Sequence, residues 1–346
     1  MAQVNKKLIE NILFDDEKAE VFIRKNDYGN AVKILLESQK KEWPQLAAGY
    51  QSLDSIQVKT FDFDGFKINV QFNPGRIVSS SAKVDTKSIN NRKCFLCYEN
   101  LPAEQKGILY GHEHLILCNP FPIFPEHFTL PNINHFAQSI KESFGKLLSF
   151  SKAMSEHYTI FYNGPKCGAS APDHLHFQAG NKYFMPIDEE FNSLKDKYGE
   201  VLIENDQLTV SGIDDGLRKY ISFEGHSERT IINSFNIFYN SYSSLAKNNE
   251  EPMMNILSSY QNETGWRVII FLRNKHRPSH YFEEGDNNIL ISPAAVDIGG
   301  VSITPLEKDF KKITKALLQD IFGEIIIGKE YFDFIKASLK KKIIQQ

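Results

Sequence analysis

The chain has 346 residues, 41% of them hydrophobic, with 40 Lys and Arg against 43 Asp and Glu, a net charge of −3 and a pI near 6.4. That is enough apolar material for one large domain or two of ordinary size, and the near-balanced charge argues against a nucleic-acid partner. No apolar run reaches the roughly 18–20 residues of a membrane helix, and MAQVNKKLIENILFDDEKAE lacks the apolar stretch of a signal peptide, so the expectation is a cytoplasmic protein with no membrane partner.

Residues 1–50 read as helical, with apolar spacing of helical period over 17–43 and an interruption at 26–30. Residues 57–81 alternate as strands around a turn at Asp64-Gly65. The segment 94-CFLCYENLP-102 reads as a loop or knuckle, and 114-HLILC-118 and 127-HFTLP-131 as strands. A helix is predicted over 136–154 and a strand over 158–164. Residues 186–224 are charged and mixed. A helix over 228–247, strands at 266–273 and 288–294, and helices at 306–321 and the C-terminus complete the pattern. The Lys-rich end, 338-SLKKKIIQQ-346, reads as a solvated helix end.

The two halves have the same order of elements: strands, a strand ending in His or basic residues, and a helix. That predicts an α+β fold, an antiparallel sheet with flanking helices, built as two halves from a duplicated unit. No GxGxxG or GxxxxGKS loop supports a Rossmann or P-loop reading. The expected division is an N-terminal helical segment, 1–55, a catalytic half, 56–185, and a second half, 186–346.

The stretch 174-HLHFQA-179 carries the chemistry. In a strand, His174, His176 and Gln178 share one face, and Leu175 and Phe177 the other. A one-residue slip would bury the polar trio, so the pattern sets the register. Ahead of it, 163-NGPKCGAS-170 is a Gly-containing loop whose N–H groups can approach an anion.

N-G-x-x-C-G-A-S followed by H-x-H-x-Q resembles the nucleotidyltransferase and phosphorylase branch of the histidine-triad superfamily, which includes galactose-1-phosphate uridylyltransferase, diadenosine tetraphosphate phosphorylase and the GDP-hexose phosphorylases. HLHFQA most resembles the last of these. The segments 72-FNPGRIVSSSAK-83 and 115-LILCNPFPIFPEHFTL-130 are also similar to this branch, and the resemblance covers about 66–185. It implies that His176 attacks the α-phosphorus of a nucleotide to form a covalent nucleotidyl-histidine, with its other ring nitrogen held by a backbone carbonyl of the preceding loop. It implies that Gln178 donates to a non-bridging phosphate oxygen and that Ser170 and loop N–H groups, Gly168 among them, hold a phosphate. Three residues, Ala171, Pro172 and Asp173, separate Ser170 from His174, one more than in the uridylyltransferases. Asn73, Arg76, Asn119, Phe121 and Asn163 are the implied nucleotide contacts. Arg273, in the basic cluster Arg273, Lys275, His276 and Arg277, is a candidate phosphate contact.

Four cysteines, Cys94, Cys97, Cys118 and Cys167, are too few for a disulfide framework. Cys94 and Cys97 have the spacing of a zinc knuckle. The resemblance implies a structural Zn2+ on Cys94, Cys97, His127 and His174, with His112 and His114 as rival third ligands. Cys118 and Cys167 read as structural. Mg2+ can accompany the nucleotide, though no carboxylate cluster demands it.

The expected function is nucleotidyl transfer to phosphate or a sugar phosphate. The preferred substrate is a nucleoside diphosphate sugar, GDP-hexose first. A dinucleoside polyphosphate phosphorylase and a hexose-1-phosphate uridylyltransferase follow. A different class, a non-catalytic nucleotide-binding module, is opposed by the intact His174, His176 and Gln178.

Overall fold

A computed structural model describes residues 9–246 and 250–343. Residues 1–8 of the expected N-terminal helical segment, the last residue of the helix expected over 228–247, and the final residues of the Lys-rich end lie outside them.

The N-terminal segment folds as α1 (Glu17–Arg24), α2 (Tyr28–Glu42) and α3 (Pro44–Gln51). The interruption falls where expected. Asn26 takes a positive φ of 58°, and the Asp27 carboxylate accepts the Asn30 N–H at 3.0 Å to start α2. Pro44 opens α3, where its missing N–H costs nothing.

Next, β1 (Gln57–Asp62) and β2 (Lys67–Phe72) form a hairpin around Gly65, and β2 pairs in parallel with β13 (Val301–Thr304) to make a three-stranded sheet. The remaining strands build one antiparallel sheet of ten. These are β3 (Gly107–Tyr110), β4 (His114–Cys118), β5 (His127–Pro131), β6 (Tyr158–Asn163), β7 (His176–Asn181), β8 (Gly199–Asn205), β9 (Leu208–Asp214), β10 (Lys219–Gly225), β11 (Met254–Gln261) and β12 (Gly265–Leu272). Their order is β3-β4-β5-β7-β6-β11-β12-β10-β9-β8. Read from either edge, each half runs first, second, third, fifth, fourth, and the halves join at β6 and β11. The expected duplication is therefore present in the topology.

Helix α4 (Phe144–Ala153) lies between the third and fourth strands of the first half, and α6 (Glu228–Ser243) does so in the second. They meet through Phe144 and Phe235, stacked with centroids 3.7 Å apart. Such a pair adds about 0.5–1.5 kcal/mol beyond its burial. With α2 and α8 (Lys329–Ile343) they cover one face of the sheet, where Phe128, Leu130, Phe177 and Ala179 are buried. On the other face a second core forms from α5 (Pro186–Tyr198), α7 (Lys315–Ile325) and the small sheet. Because β2 pairs with β13, the small sheet ties the start of the chain to its second half.

Five expectations changed. Residues 74–80, read as strand, form a 3-10 turn (Pro74–Arg76) and a short helix (Ile77–Ser80). The helix expected over 306–321 is broken after Lys312, and Thr314 caps α7. The stretch 288–294 alternates correctly, and Ile289 and Ile291 are buried, but among the described residues no strand pairs with it; Leu290 N–H is taken by the Asp309 carboxylate at 2.8 Å. The helix expected over 136–154 begins only at Phe144, because 136–138 bond to the 172–175 loop instead: Leu175 N to Phe136 O at 2.6 Å and Gln138 N to Pro172 O at 3.0 Å. The mixed stretch 186–224 resolves into α5, β8, β9 and β10.

Candidate active site and metal centre

Across the sheet, His127 pairs with Gly180, Thr129 with Gln178 and Pro131 with His176. The side chains of His127, Thr129, His176 and Gln178 therefore share the face opposite the Phe128–Phe177 core, as period 2 requires. Above this face lies a cavity of about 630 Å³, within the range of small-molecule sites. His176, Gln178, Ser170, Gly168, Asn163, Asn119, Phe121 and Arg76 all line it, together with Lys83, Arg92, His276 and Arg277. Four cationic side chains, Arg76, Lys83, Arg92 and Arg277, face a single acidic one, Asp297. That balance suits an oligoanion.

His176 is 3% exposed. Its Nδ1 lies 2.8 Å from the carbonyl oxygen of His174. A carbonyl only accepts, so Nδ1 carries the proton and Nε2 keeps a free lone pair. Burial pushes the pKa down to about 4, which keeps the ring neutral near pH 7. The backbone of His176 is clamped by Gln138, whose Oε1 accepts its N–H at 2.8 Å and whose Nε2 donates to the carbonyls of His176 (3.1 Å) and Asn163 (2.9 Å). The β6–β7 ladder ends at Phe161 and Gln178, so Gln138 supplies the bonds beyond it.

Two amides are held by their oxygens. Gln178 Oε1 lies 3.0 Å from His127 Nε2. Asn163 Oδ1 accepts from Asn255 Nδ2 and Ala295 N, both at 2.8 Å. Each is thereby left with its NH2 group for a ligand. Gly168, with φ +90°, sits so close to the 293–294 segment that a Cβ would lie 2.6 Å from that of Ala294.

Two expected nucleotide contacts lie elsewhere. Asn73 is 1% exposed, is not among the cavity residues, and donates its Nδ2 to Pro122 O at 3.2 Å. Arg273 is 2% exposed and spends its N–H groups on protein oxygens: Asn255 Oδ1 (2.6 Å) and the carbonyls of Pro293, Lys275, His276 and Ile325. It orients Asn255, which orients Asn163. The basic members of that cluster that reach the cavity are Arg277 and its neighbour His276.

The metal expectation is also corrected. Cys94, Cys97 and His174 come together as expected, but the fourth member is His135, not His127, and all four donor atoms lie within 4.8 Å of one another. Cys94 Sγ is 3.3 Å from His174 Nδ1, and Cys97 Sγ is 3.1 Å from His135 Nδ1. Bonds of about 2.0–2.3 Å to a tetrahedral zinc place donor atoms roughly 3.3–3.8 Å apart, so the set fits such an ion. The tautomer fits as well: His174 Nε2–H donates to Asn132 O at 2.7 Å, which leaves Nδ1 bare toward the thiols. Without a cation, burial and the Cys94 thiol push the Cys97 pKa up to about 12. Asp173 turns from the cavity to this cluster, accepting from Arg92 at 2.6 Å and lying 3.8 Å from His135 Nε2. The rival His114 is buried between Phe150 and Phe177, and His112 stands in a turn with φ +64°.

His135, Gln138 and Asn255 were missed in the sequence. His135 sits in 132-NINH-135, directly after the strand that bears His127, and that proximity was the available signal.

Residues 194–346 match the family model described as "GDPGP1-like, C-terminal domain", and residues 35–181 match "Domain of unknown function (DUF4922)". No curated protein matches the sequence. The fold resembles yeast Ap4A phosphorylase Apa2, with TM-score 0.55 and 12% identity over 82% of this chain and 96% of that one. The same yeast enzyme in complex with Ap4A gives 0.51 and 13% over 83% and 97%. Among the described residues no helix is long and apolar enough to cross a membrane. The C-terminal family match, the two-half fold and the His176 centre make the chain similar to the nucleotidyltransferase and phosphorylase branch of the histidine-triad superfamily.

Proposed function

We propose that the chain phosphorolyses a nucleoside diphosphate sugar, GDP-hexose in first place, through a nucleotidyl group carried on His176. The observation that carries this reading is the His176 ring: Nδ1–H is tied to the His174 carbonyl and Nε2 is bare in a cationic cavity beside Gln178.

In the first step Nε2 attacks the α-phosphorus. An N–P bond forms, the P–O bond to the sugar phosphate breaks, and its electron pair leaves with the sugar phosphate. The positive charge gained by the ring is stabilised by the Nδ1–H bond to His174 O. The Gln178 and Asn163 NH2 groups donate to phosphate oxygens as charge shifts onto them. Gly168, Ser170 and Arg277 hold the neighbouring phosphate. In the second step an oxygen of inorganic phosphate attacks the same phosphorus, the N–P bond breaks, and nucleoside diphosphate leaves with His176 restored.

A zinc ion on Cys94, Cys97, His135 and His174 would serve as a structural cross-link holding the strand that begins at His176. GDP-hexose is supported by HLHFQA and by the GDPGP1-like match. A dinucleoside polyphosphate phosphorylase is the second reading, supported by the fold shared with the yeast enzyme over 82% of the chain.

The test is a phosphorolysis panel: inorganic phosphate with GDP-glucose, GDP-mannose, UDP-glucose, ADP-glucose or diadenosine tetraphosphate, followed by chromatography, with His176→Ala as control. Nucleoside diphosphate from one GDP-sugar, absent in the variant, is the expected result. Turnover only of the dinucleotide selects the second reading, and undiminished turnover by His176→Ala rejects the covalent mechanism.

A further inference from the structure

We propose that His127 is a positioning residue for nucleotidyl transfer: its Nε2–H holds the amide oxygen of Gln178 and so turns the Gln178 NH2 group toward the phosphate being transferred. This role rests on the nucleotidyl-transfer reading above, and it replaces the metal-ligand role that the sequence suggested for this residue.

The geometry leaves one consistent assignment of protons. The His127 ring is 0% exposed. Its Nδ1 lies 3.3 Å from the backbone nitrogen of Ile123, which can only donate. Nδ1 therefore accepts, and a neutral ring then carries its proton on Nε2. Neutrality is secured by burial, reinforced by the nearby Arg76 charge, which pushes the pKa down to about 3. Nε2–H, 3.0 Å from the Gln178 amide, must donate, so the amide must answer with its oxygen. The reversed amide would set N–H against N–H. The conclusion thus follows from the Ile123 bond and does not depend on telling amide oxygen from nitrogen.

The local fold is built around this contact. His127 and Gln178 are diagonal neighbours on adjacent strands. Gly180, opposite His127, leaves room for Phe124, whose ring a Cβ there would meet at 2.5 Å. Phe124 lies edge-on to His127 at 5.2 Å, which fixes the ring plane. The Gln178 nitrogen has no hydrogen-bond partner among the described residues, while Gln178 lines the cavity. Without His127 the amide is free to turn over. It would then present a carbonyl oxygen to a phosphate oxygen, and transfer would be opposed where it had been assisted.

The experiment has two arms. In the first, turnover of the substrate identified by the panel is measured for His127→Phe, Gln178→Ala and the double variant. His127→Phe is expected to lower kcat roughly tenfold to a hundredfold, short of the full loss of a donor, with KM within twofold of wild type. The double variant should be no slower than Gln178→Ala, and His127→Gln, which retains a donor, should recover part of the loss. An unchanged kcat, or losses that multiply in the double variant, would overturn the proposal. In the second arm, nitrogen NMR of wild-type protein labelled at histidine reads the His127 tautomer, assigned by the signal lost in His127→Gln. A proton on Nε2 is expected, and a proton on Nδ1 would overturn the proposal even if His127→Phe fails to fold. A panel with no turnover sinks the functional reading, whereas a wrong tautomer sinks only this role of His127.

Discussion

His174 serves two sites at once: its imidazole Nδ1 lies 3.3 Å from Cys94 Sγ, and its carbonyl oxygen takes the Nδ1–H of His176 at 2.8 Å. One residue joins the Cys94, Cys97 and His135 cluster and, through its backbone, holds His176, the proposed nucleophile, in its tautomer. The crowding of two histidines into H-x-H has its physical reason here.

The metal set is separable by mutation. His135→Ala and Cys97→Ser should purify with substoichiometric zinc, and His127→Gln with the wild-type amount, measured by elemental analysis of protein never exposed to chelator. Loss of the ion should lower Tm and kcat together, since the strand that begins at His176 loses its anchor. Full zinc in His135→Ala alongside depleted zinc in His127→Gln would restore the ligand set first read from the sequence.

Arg273 offers a second separation. A phosphate contact would change KM for phosphate and leave stability alone. Here the guanidinium is buried and spent on five protein oxygens, so Arg273→Met strands buried acceptors. The expected loss is about 2–4 kcal/mol in urea unfolding, with kcat lowered through Asn255 and Asn163. A variant of wild-type stability with a raised KM for phosphate would contradict this.

The halves, four of the five strands of the first half and the face bearing His174, His176 and Gln178 were legible because alternation and H-x-H-x-Q are local signals; the four-residue β3 went unread. What failed was non-local. Strand β11 went unread because Asn255 and Ser258 interrupt its apolar run, yet it lies at the centre of the sheet between β6 and β12. The 288–294 stretch has a strand's pattern without a neighbour among the described residues to pair with. His135 and His127 are equally plausible ligands along the chain, and only the 132–135 turn, through Asn132 O and His174, brings one of them to the thiols. Arg273 looks like any exposed basic cluster until the oxygens around it are counted.

Gly168 and Gly216 form a matched pair for testing the 163–170 loop as the proposed phosphate site. Both have positive φ, +90° and +84°, but a Cβ would meet Ala294 at 2.6 Å in the first and nothing within 4 Å in the second. Gly216→Ala should cost about 1 kcal/mol of strain and leave kcat unchanged. Gly168→Ala carries the clash as well, displaces loop N–H groups at the cavity, and should lower kcat as well as Tm. Equal effects of the two variants on kcat would remove the loop from the proposed phosphate site.

His114 gives a pH dependence whose sign can be worked out. The ring is 2% exposed, lies against Phe150 and Phe177, and has no hydrogen-bond partner on either nitrogen. Desolvation pushes its pKa down to about 4, against about 6.5 in the unfolded chain. Above pH 6.5 neither state is protonated and the residue adds no slope. Between 6.5 and 4 the unfolded chain takes up a proton that the folded one refuses, so stability falls as pH falls, by about 2 kcal/mol at pH 5. Asp188, Asp297 and Glu251, raised by burial to about 6, 6 and 7, act in the opposite direction, so the wild-type curve alone does not isolate the histidine. The difference between His114→Phe and wild type does. The variant should gain about 2 kcal/mol relative to wild type between pH 7.5 and pH 5 in urea unfolding, because Phe fills the same aromatic slot and takes up no proton. A difference that stays constant over that interval would mean that His114 titrates normally in the folded protein.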